Sequence, residues 1–347
     1  MFTTDRTIRR GTKNERGWCE LVAAEAEEII DSLGPTDEFQ PLASLVHLTD
    51  LHICDAESPA RIEYLDRLSD PDSPVREVVG HIGSYRPQEI LTVQVADAML
   101  RTVNRIARGP VTQRNVDAVL ITGDVTDNAQ RNELQWYRRL LDGGTVGCRS
   151  GDEGSSAWVG ASRPDLWDER YWHPDGPEPG RLDDRPTRIE GFPRCPGLVT
   201  AARADFETPG LRHRWISVHG NHDGLLQGTL PATDAARDIA VGNQRITGLP
   251  ANIDPSFAVS VNAMIGPVEY SIAPDFPREQ VSPDRARRPV HPGEHANVLG
   301  MAGNYGVEDV GELVLIYLDT VNPHGGWQGS IDLPQFEWLK GQLRLFA

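Results

Sequence analysis

The stretch Trp215-Ile216-Ser217-Val218-His219-Gly220-Asn221-His222-Asp223 decides how the rest of the chain is interpreted. Its first four residues form an apolar run of the kind that makes a short buried strand. An amide, an imidazole and a carboxylate follow within one turn, at Asn221, His222 and Asp223. Such groups can bind a metal ion, donate a proton and orient the proton donor. The stretch therefore predicts a chemical site at the end of a strand.

Two earlier apolar runs end in the same way. The run Leu45-Val46-His47-Leu48 is followed by Asp50 and His52, and the run Ala118-Val119-Leu120-Ile121 is followed by Asp124. Both runs have the length and composition of buried strands. Strand, polar turn and helix in succession are typical of an α/β layered sheet whose functional loops lie at the strand ends. We therefore expect the three polar turns to lie close together.

The three turns carry oxygen and imidazole groups. Ligands of these types, converging from separate strands, suit a pair of divalent first-row metals that share one carboxylate. A single Asp-x-His sequence is common by chance. Three polar turns in this order, each at the end of a predicted strand, are far more specific.

The polar turns resemble the signature of the calcineurin-like metallophosphoesterase superfamily, whose blocks are Asp-x-His, Gly-Asp-x-x-Asp and Gly-Asn-His-Asp or Gly-Asn-His-Glu. In this chain the blocks are Asp50-Leu51-His52, Gly123-Asp124-Val125-Thr126-Asp127 and Gly220-Asn221-His222-Asp223. Asp319-Thr320 and the later Gln335, Trp338 and Leu339 are similar to the family's post-strand segment and its Gln-x-x-Trp-Leu helix. The sequence Thr126-Asp127-Asn128-Ala129-Gln130, which follows Asp124, looks closest to a bacterial subgroup with no assigned substrate.

The resemblance implies an α/β (α+β layered) fold, a β-sandwich flanked by helices, over residues 41–347. Two long insertions interrupt it, at about 143–212 and 225–306, where we expect irregular structure. Residues 1–40 are interpreted as an N-terminal extension with a helix from Leu21 to Leu33.

Further elements are predicted from composition and spacing. Residues 55–87 are rich in Pro, Asp, Ser and Arg and are expected to form a surface excursion. Apolar residues at helical spacing predict helices at about 88–107 and 129–141. The run Leu313–Leu318 predicts a central strand, and Pro334–Leu345 predicts a helix with proline in its first turn.

The resemblance also implies site residues and cofactors. It assigns Asp50 and His52 to a first metal, Asp124 to both metals and Asn221 to a second metal. A hydroxide between the two metals would attack phosphorus while His222 protonates the leaving oxygen, and Asp223 would hold His222 in the right tautomer. The expected cofactors are two divalent ions, with Mn, Fe, Zn and Co all compatible with the ligands. The implied function is hydrolysis of a phosphate mono- or diester in a small phosphorylated substrate.

The sequence departs from the family in the histidines that complete the two metal shells. A histidine on the next strand and a later Gly-His-x-His block are both absent from the 347 residues. We interpret the sequence as truncated at its C-terminus, with the final strands missing. The alternative is that His291, His295 or His324 substitutes for the absent ligands. An alternative function follows, a non-catalytic or weakly metal-binding protein.

Composition limits the partners of the chain. A formal net charge of -17 disfavours nucleic acid and anionic membrane surfaces as partners, because both would repel the chain at long range. The 4 cysteines lie far apart and predict no disulfide framework. No secretory signal and no run of about 20 apolar residues is present, so a cytoplasmic protein is expected. The oligomeric state stays open.

Overall fold

The computed structural model describes residues 6–13, 19–25, 40–70, 73–80, 85–109, 113–152, 167–250, 257 and 275–346. This part of the chain has a mixed α/β architecture. No helix within these ranges has the length and apolar character that crossing a bilayer would need.

A three-stranded parallel sheet carries the polar turns, and its strands are β3 (Leu45–Leu48), β4 (Ala118–Ile121) and β7 (Trp215–Ser217), with β4 in the middle. It confirms the three predicted strands, with Leu45 opposite Ala118 and Val119 opposite Trp215. The other strands of the described residues form antiparallel pairs. In chain order, the described strands are β1 (Arg6–Lys13), β2 (Cys19–Glu25), β3 (Leu45–Leu48), β4 (Ala118–Ile121), β5 (Gly144–Val146), β6 (Phe206–Thr208), β7 (Trp215–Ser217), β8 (Leu225–Leu226), β9 (Leu230–Pro231), β10 (Gln244–Ile246), β11 (Arg278–Gln280), β12 (Gly306–Val310) and β13 (Leu313–Tyr317).

The α-helices of the described residues are α1 (Arg76–Val79), α2 (Thr92–Val103), α3 (Arg131–Asp142), α4 (Leu198–Ala202), α5 (Asn221–Gly224), α6 (Asp234–Val241), α7 (Pro292–Leu299) and α8 (Leu333–Phe346). The helices predicted near 129–141 and 334–345 are confirmed as α3 and α8. The helix predicted at 88–107 begins as a 3₁₀ turn, Pro87–Leu91, and continues as α2, which ends at Val103.

Helices α2 and α3 cover one face of the parallel sheet. Leu100 of α2 and Leu134 and Tyr137 of α3 share one buried cluster with Val119 and Ile121 of β4. Full burial of such a side chain contributes about 1.5–3 kcal/mol. This layer therefore fixes the sheet on which the polar turns are mounted.

The strand predicted at Leu313–Leu318 is present as β13, but the prediction that it lies in the centre of a sheet is wrong. Strand β13 pairs with β12 in a separate antiparallel hairpin, and Val310 lies opposite Leu313. Gly311 has a φ of 61°, which allows the chain to reverse in a tight turn between the two strands. The hairpin packs on the other face of the parallel sheet, where Val310 and Tyr317 contact the cluster that contains Ala118 and Ile216.

The helix predicted from Leu21 to Leu33 is wrong over its described part. Residues Cys19–Glu25 form β2, which pairs with β1 so that Arg10 lies opposite Leu21. Residues 26–33 lie outside the described part of the chain. Pairing with the preceding strand supplies the backbone hydrogen bonds that a helix would have made within its own segment, and residue spacing within one segment does not reveal such a partner.

The surface excursion expected at 55–87 is wrong for its first residues. Glu57, Ser58 and Arg61 are buried, each at most 2% exposed. Ser58 Oγ donates to Gln130 Oε1 at 2.5 Å, and Arg61 donates to Glu63 and Glu89. The polar composition at residues 55–61 therefore reflects contacts inside the protein, not contact with water.

The two insertions contain regular structure. In the first insertion, β5 and β6 pair antiparallel, so the residues between these two strands begin and end at neighbouring positions. The second was expected to be irregular, but it contains α6, α7 and the strand pair β10 and β11. Helix α6 begins at a conventional N-cap, where Thr233 Oγ1 accepts a hydrogen bond from Ala236 N.

Candidate metal centre

The loops that follow β3 and β4 continue to run side by side beyond the strands. Thr122 N donates to Leu48 O at 3.0 Å, and His52 N donates to Asp124 O at 2.9 Å. Asp50 N also donates to Gly123 O at 3.2 Å. These bonds place the first two polar turns next to each other at the carboxyl end of the sheet, as the sequence predicts.

The third polar turn is the single helical turn α5, which packs against the second. A β-carbon on Gly123 would lie 2.8 Å from Gly220 Cα, a distance that real side chains essentially never show. His222 N donates to Asp124 Oδ1 at 2.9 Å. Backbone contact of this kind needs glycine at both positions and brings His222 to the Asp124 carboxylate.

Three of the predicted site residues meet at one point. Ligand atoms of His52, Asp124 and His222 all lie within 4.8 Å of one another. The rings of His52 and His222 are 4.4 Å apart and edge to face. All three side chains are partly buried. They form a group of imidazole and carboxylate donors that fits a divalent first-row metal ion.

Asp127 sets the orientation of both imidazoles. Its Oδ1 accepts a hydrogen bond from His52 Nδ1 at 3.0 Å, and its backbone carbonyl accepts one from His222 Nδ1 at 2.7 Å. Because each Nδ1 is the donor, each Nε2 is left with its lone pair when the ring is neutral. Second-sphere partners of this kind are the usual means of orienting a metal-binding histidine.

The Asp127 carboxyl group stays ionised although it is fully buried. Burial alone would raise its pKa, but the hydrogen bond from His52 and the charges of Arg61 and Arg86 hold the pKa well below its ordinary value. Asp127 therefore supports both histidines from behind without joining the convergent group.

The role expected for Asp223 is corrected by the structure. Its Oδ1 accepts hydrogen bonds from Thr126 N at 2.8 Å and Thr126 Oγ1 at 2.9 Å, and its Oδ2 accepts one from Gly220 N at 2.9 Å. Asp223 thus ties α5 to the second polar turn. His222 takes its orientation from the Asp127 carbonyl instead, because that carbonyl faces its Nδ1.

Asp50 and Asn221 flank the three convergent residues. Asp50 Oδ1 lies 3.7 Å from His52 Nε2, and its side chain is 58% exposed. Asn221 Nδ2 donates to Gly228 O at 2.9 Å, which turns Oδ1 of the same amide away from Gly228. A β-carbon on Gly228 would lie 2.5 Å from Asn221 Nδ2, so the close approach requires glycine. Both residues carry a side-chain oxygen, which is the atom expected to bind a metal ion.

Three of the four predicted ligands have a strained backbone conformation. Asp50, His52 and Asp124 have φ values of 54°, 45° and 51°. Non-glycine residues rarely adopt this left-handed conformation, and it costs of order 1–3 kcal/mol per residue. Strain of this kind persists where the surrounding structure holds a functional geometry.

The environment of Asp124 also fits a bound cation. Burial raises the pKa of this carboxyl group, and the charge of His222 only partly opposes the rise. A divalent cation would supply the positive charge that favours the ionised carboxylate. The donor set and the local field therefore both fit the expected metal.

Sequence reasoning missed a second histidine pair behind the third polar turn. His219 and His295 are buried, their rings are 4.7 Å apart, and His219 Nδ1 donates to Asp319 Oδ1 at 3.2 Å. Burial alone would lower the pKa of His219, but the bond to Asp319 raises it. Burial lowers the pKa of His295 to about 4. The signal in the sequence was His219 itself, directly before Gly220.

The histidines considered as substitute ligands do not join the convergent group. His291 Nε2 lies 3.3 Å from Arg237 Nη2, and His324 is exposed. His295 packs on His219. Within the described ranges, the group of His52, Asp124 and His222 has no further His, Cys, Asp or Glu at the same spacing.

A cleft of about 540 Å³ opens beside the convergent group. Asp124 and Asn221 lie on one side, and Thr320, Trp327 and Ser330 of the loop after β13 lie on the other. The volume and the polar lining suit a small molecule. Comparisons of the chain with known protein families, with curated proteins and with solved structures find no match.

Proposed function

We propose that this protein is a metal-dependent hydrolase of phosphate esters. The observation that carries the proposal is the convergence of His52, Asp124 and His222 at the ends of neighbouring strands. The backbone strain at Asp124 and His52 and the orientation of both imidazoles by Asp127 support it. The resemblance of the three polar turns to metallophosphoesterases gives the reaction class.

We assign two divalent ions to the site. Asp50, His52 and Asp124 would hold the first ion, and Asp124 and Asn221 would hold the second. Mn, Fe and Zn are the expected metals, because the donors are carboxylate and amide oxygens together with imidazole. Cations in such a site lower the pKa of water and neutralise charge on a phosphate group.

His222 is assigned the role of proton donor. Its Nδ1 donates to the Asp127 carbonyl, so its Nε2 is the nitrogen that can give a proton to a leaving oxygen. The Asp127 carbonyl favours this arrangement in both protonation states, because Nδ1 stays a donor throughout. A small phosphorylated compound is the proposed substrate, with room in the cleft beside Asp124 and Asn221.

A second candidate is a binding protein that holds at most one metal ion. It is favoured by the size of the convergent group, which contains three residues in the described ranges. Equilibrium dialysis against Mn²⁺, followed by metal analysis, separates the two candidates. Two tightly bound ions per chain support the hydrolase and contradict the binding protein, whereas one weakly bound ion or none contradicts the self-sufficient dinuclear site.

A further inference from the structure

A buried cluster of charged side chains lies behind the candidate metal centre. Arg61 is 1% exposed and donates to Asp127 Oδ2 at 2.9 Å and to Glu89 Oε2 at 2.8 Å. It also donates to Glu63. Arg86 donates to Asp127 Oδ1, the oxygen that also accepts the hydrogen bond from His52. Two guanidinium groups and one imidazole therefore converge on one buried carboxylate.

Such a cluster is not the simplest way to stabilise a fold. Taking charges out of water is costly, and apolar residues of similar volume often stabilise a core equally well. Arginine differs from lysine in presenting a planar set of donors that fixes a carboxylate in one orientation. Here the fixed carboxylate is the one that orients His52, so the cluster acts on the geometry of the metal centre.

We propose that Arg61 and Arg86 are positioning residues, which hold the Asp127 carboxylate so that His52 keeps its proton on Nδ1 and presents Nε2 at the metal centre. The part of this proposal in which a metal ion binds His52 Nε2 rests on the proposed function. The orientation of His52 is a property of the metal-free protein and can be measured without any metal.

The charged residues that surround Asp127 come from one part of the chain. Arg61, Glu63, Arg86 and Glu89 all come from the segment between β3 and α2. Arg61 and Arg86 of this segment both donate to Asp127, at the end of the second polar turn. Through these bonds the segment supports the site. Its sequence instead predicts a surface excursion, because the segment is rich in polar residues.

Arg86 is the residue on which the inference can be tested. Its side chain is 34% exposed, so its replacement removes a bond to Asp127 without emptying a buried volume. Arg86→Gln removes the charge, and Arg86→Lys keeps the charge but not the planar donors. Arg101→Gln is the matched control, because Arg101 is 43% exposed and pairs with Asp97 at 2.6 Å on α2.

The first measurement is the nitrogen-15 chemical shifts of the His52 ring in the metal-free protein, at a pH above the ordinary imidazole pKa of about 6.5. Wild type and Arg101→Gln should show the proton on Nδ1. Arg86→Gln should show a mixture of the two tautomers, and Arg86→Lys should lie between. The second measurement is Mn²⁺ affinity by calorimetry, which should fall about tenfold in Arg86→Gln and stay unchanged in Arg101→Gln.

An unchanged His52 tautomer together with unchanged Mn²⁺ affinity in folded Arg86→Gln would overturn the proposal. So would a lower melting temperature with neither of those changes, because Arg86 would then serve the fold alone. If wild type binds Mn²⁺ but hydrolyses no phosphate ester, the proposed function fails and the two readouts still decide the inference. If wild type binds no Mn²⁺, the tautomer decides it.

Discussion

Gly220 lies directly against Asp124, and the contact leaves no room for a side chain. A β-carbon on Gly220 would lie less than 3.0 Å from both Asp124 N and Asp124 Oδ1. The second and third polar turns are therefore one packed unit, and the glycine next to Asn221 sets the distance between His222 and the carboxylate.

Gly220→Ala is expected to separate the two turns. The added methyl group must push on backbone and on the Asp124 carboxylate, so we predict a loss of stability of about 1–3 kcal/mol. Mn²⁺ affinity should fall by at least about tenfold, since the orientation of the ligands is disturbed. Urea unfolding and calorimetry measure the two effects.

The control for this substitution is Gly341→Ala in α8. A β-carbon there has no atom within 4 Å, so the change should leave metal affinity intact and stabilise the helix by up to about 1 kcal/mol. Wild-type stability and affinity in Gly220→Ala would show that the two turns are not packed as described.

His222→Ala tests the assignment of His222 as proton donor. We predict that kcat for an alkyl phosphate ester falls by at least about a hundredfold, while Mn²⁺ affinity changes little. The loss should be much smaller for a substrate whose leaving phenolate needs no proton. A fall in Mn²⁺ affinity that matches the fall in kcat would instead make His222 a metal ligand. His324→Ala, an exposed histidine, serves as the control.

The burial of His295 predicts a pH dependence of stability. Its pKa is lowered to about 4 in the folded protein from an ordinary 6.5, so folding favours the neutral ring. The contribution is fully present above pH 6.5 and is lost as pH falls toward 4, by an amount of about 3 kcal/mol.

His295→Leu should remove this part of the acid sensitivity, because leucine has no proton to bind. Urea unfolding across the same pH interval, for wild type and the variant, gives the difference. His324→Gln should leave the wild-type dependence unchanged. Equal acid sensitivity in wild type and His295→Leu would contradict the burial of His295 as a neutral ring.

The parts of the fold that follow from local pattern could be predicted from the sequence. The run Val119 to Ile121 is apolar and ends in a polar turn, and the structure makes it the middle strand of the parallel sheet. The helical spacing of Leu134 and Tyr137 likewise identified the layer that covers this sheet. Hydrophobic spacing and strand-end turns are local properties, so a single sequence reveals them.

The parts that depend on pairing between segments could not be predicted. Leu21 lies in a strand because it pairs with Arg10 of β1. Strand β13 lies outside the parallel sheet because it pairs with β12 across the turn at Gly311. Arg61 is buried because three carboxylates meet it, and a polar segment gives no sign of that pairing. The tautomer of His222 depends on a backbone carbonyl, which no residue type encodes.

Asp124 offers the most direct test of the central claim, that the convergent group supports metal-dependent hydrolysis. The measurement is the rate of hydrolysis of an aryl phosphate by Mn²⁺-loaded wild type and Asp124→Asn, with Asp142→Asn as an exposed control on α3. We predict a fall of at least about a hundredfold in Asp124→Asn and none in the control. Near-wild-type turnover by Asp124→Asn with metal bound would contradict the account.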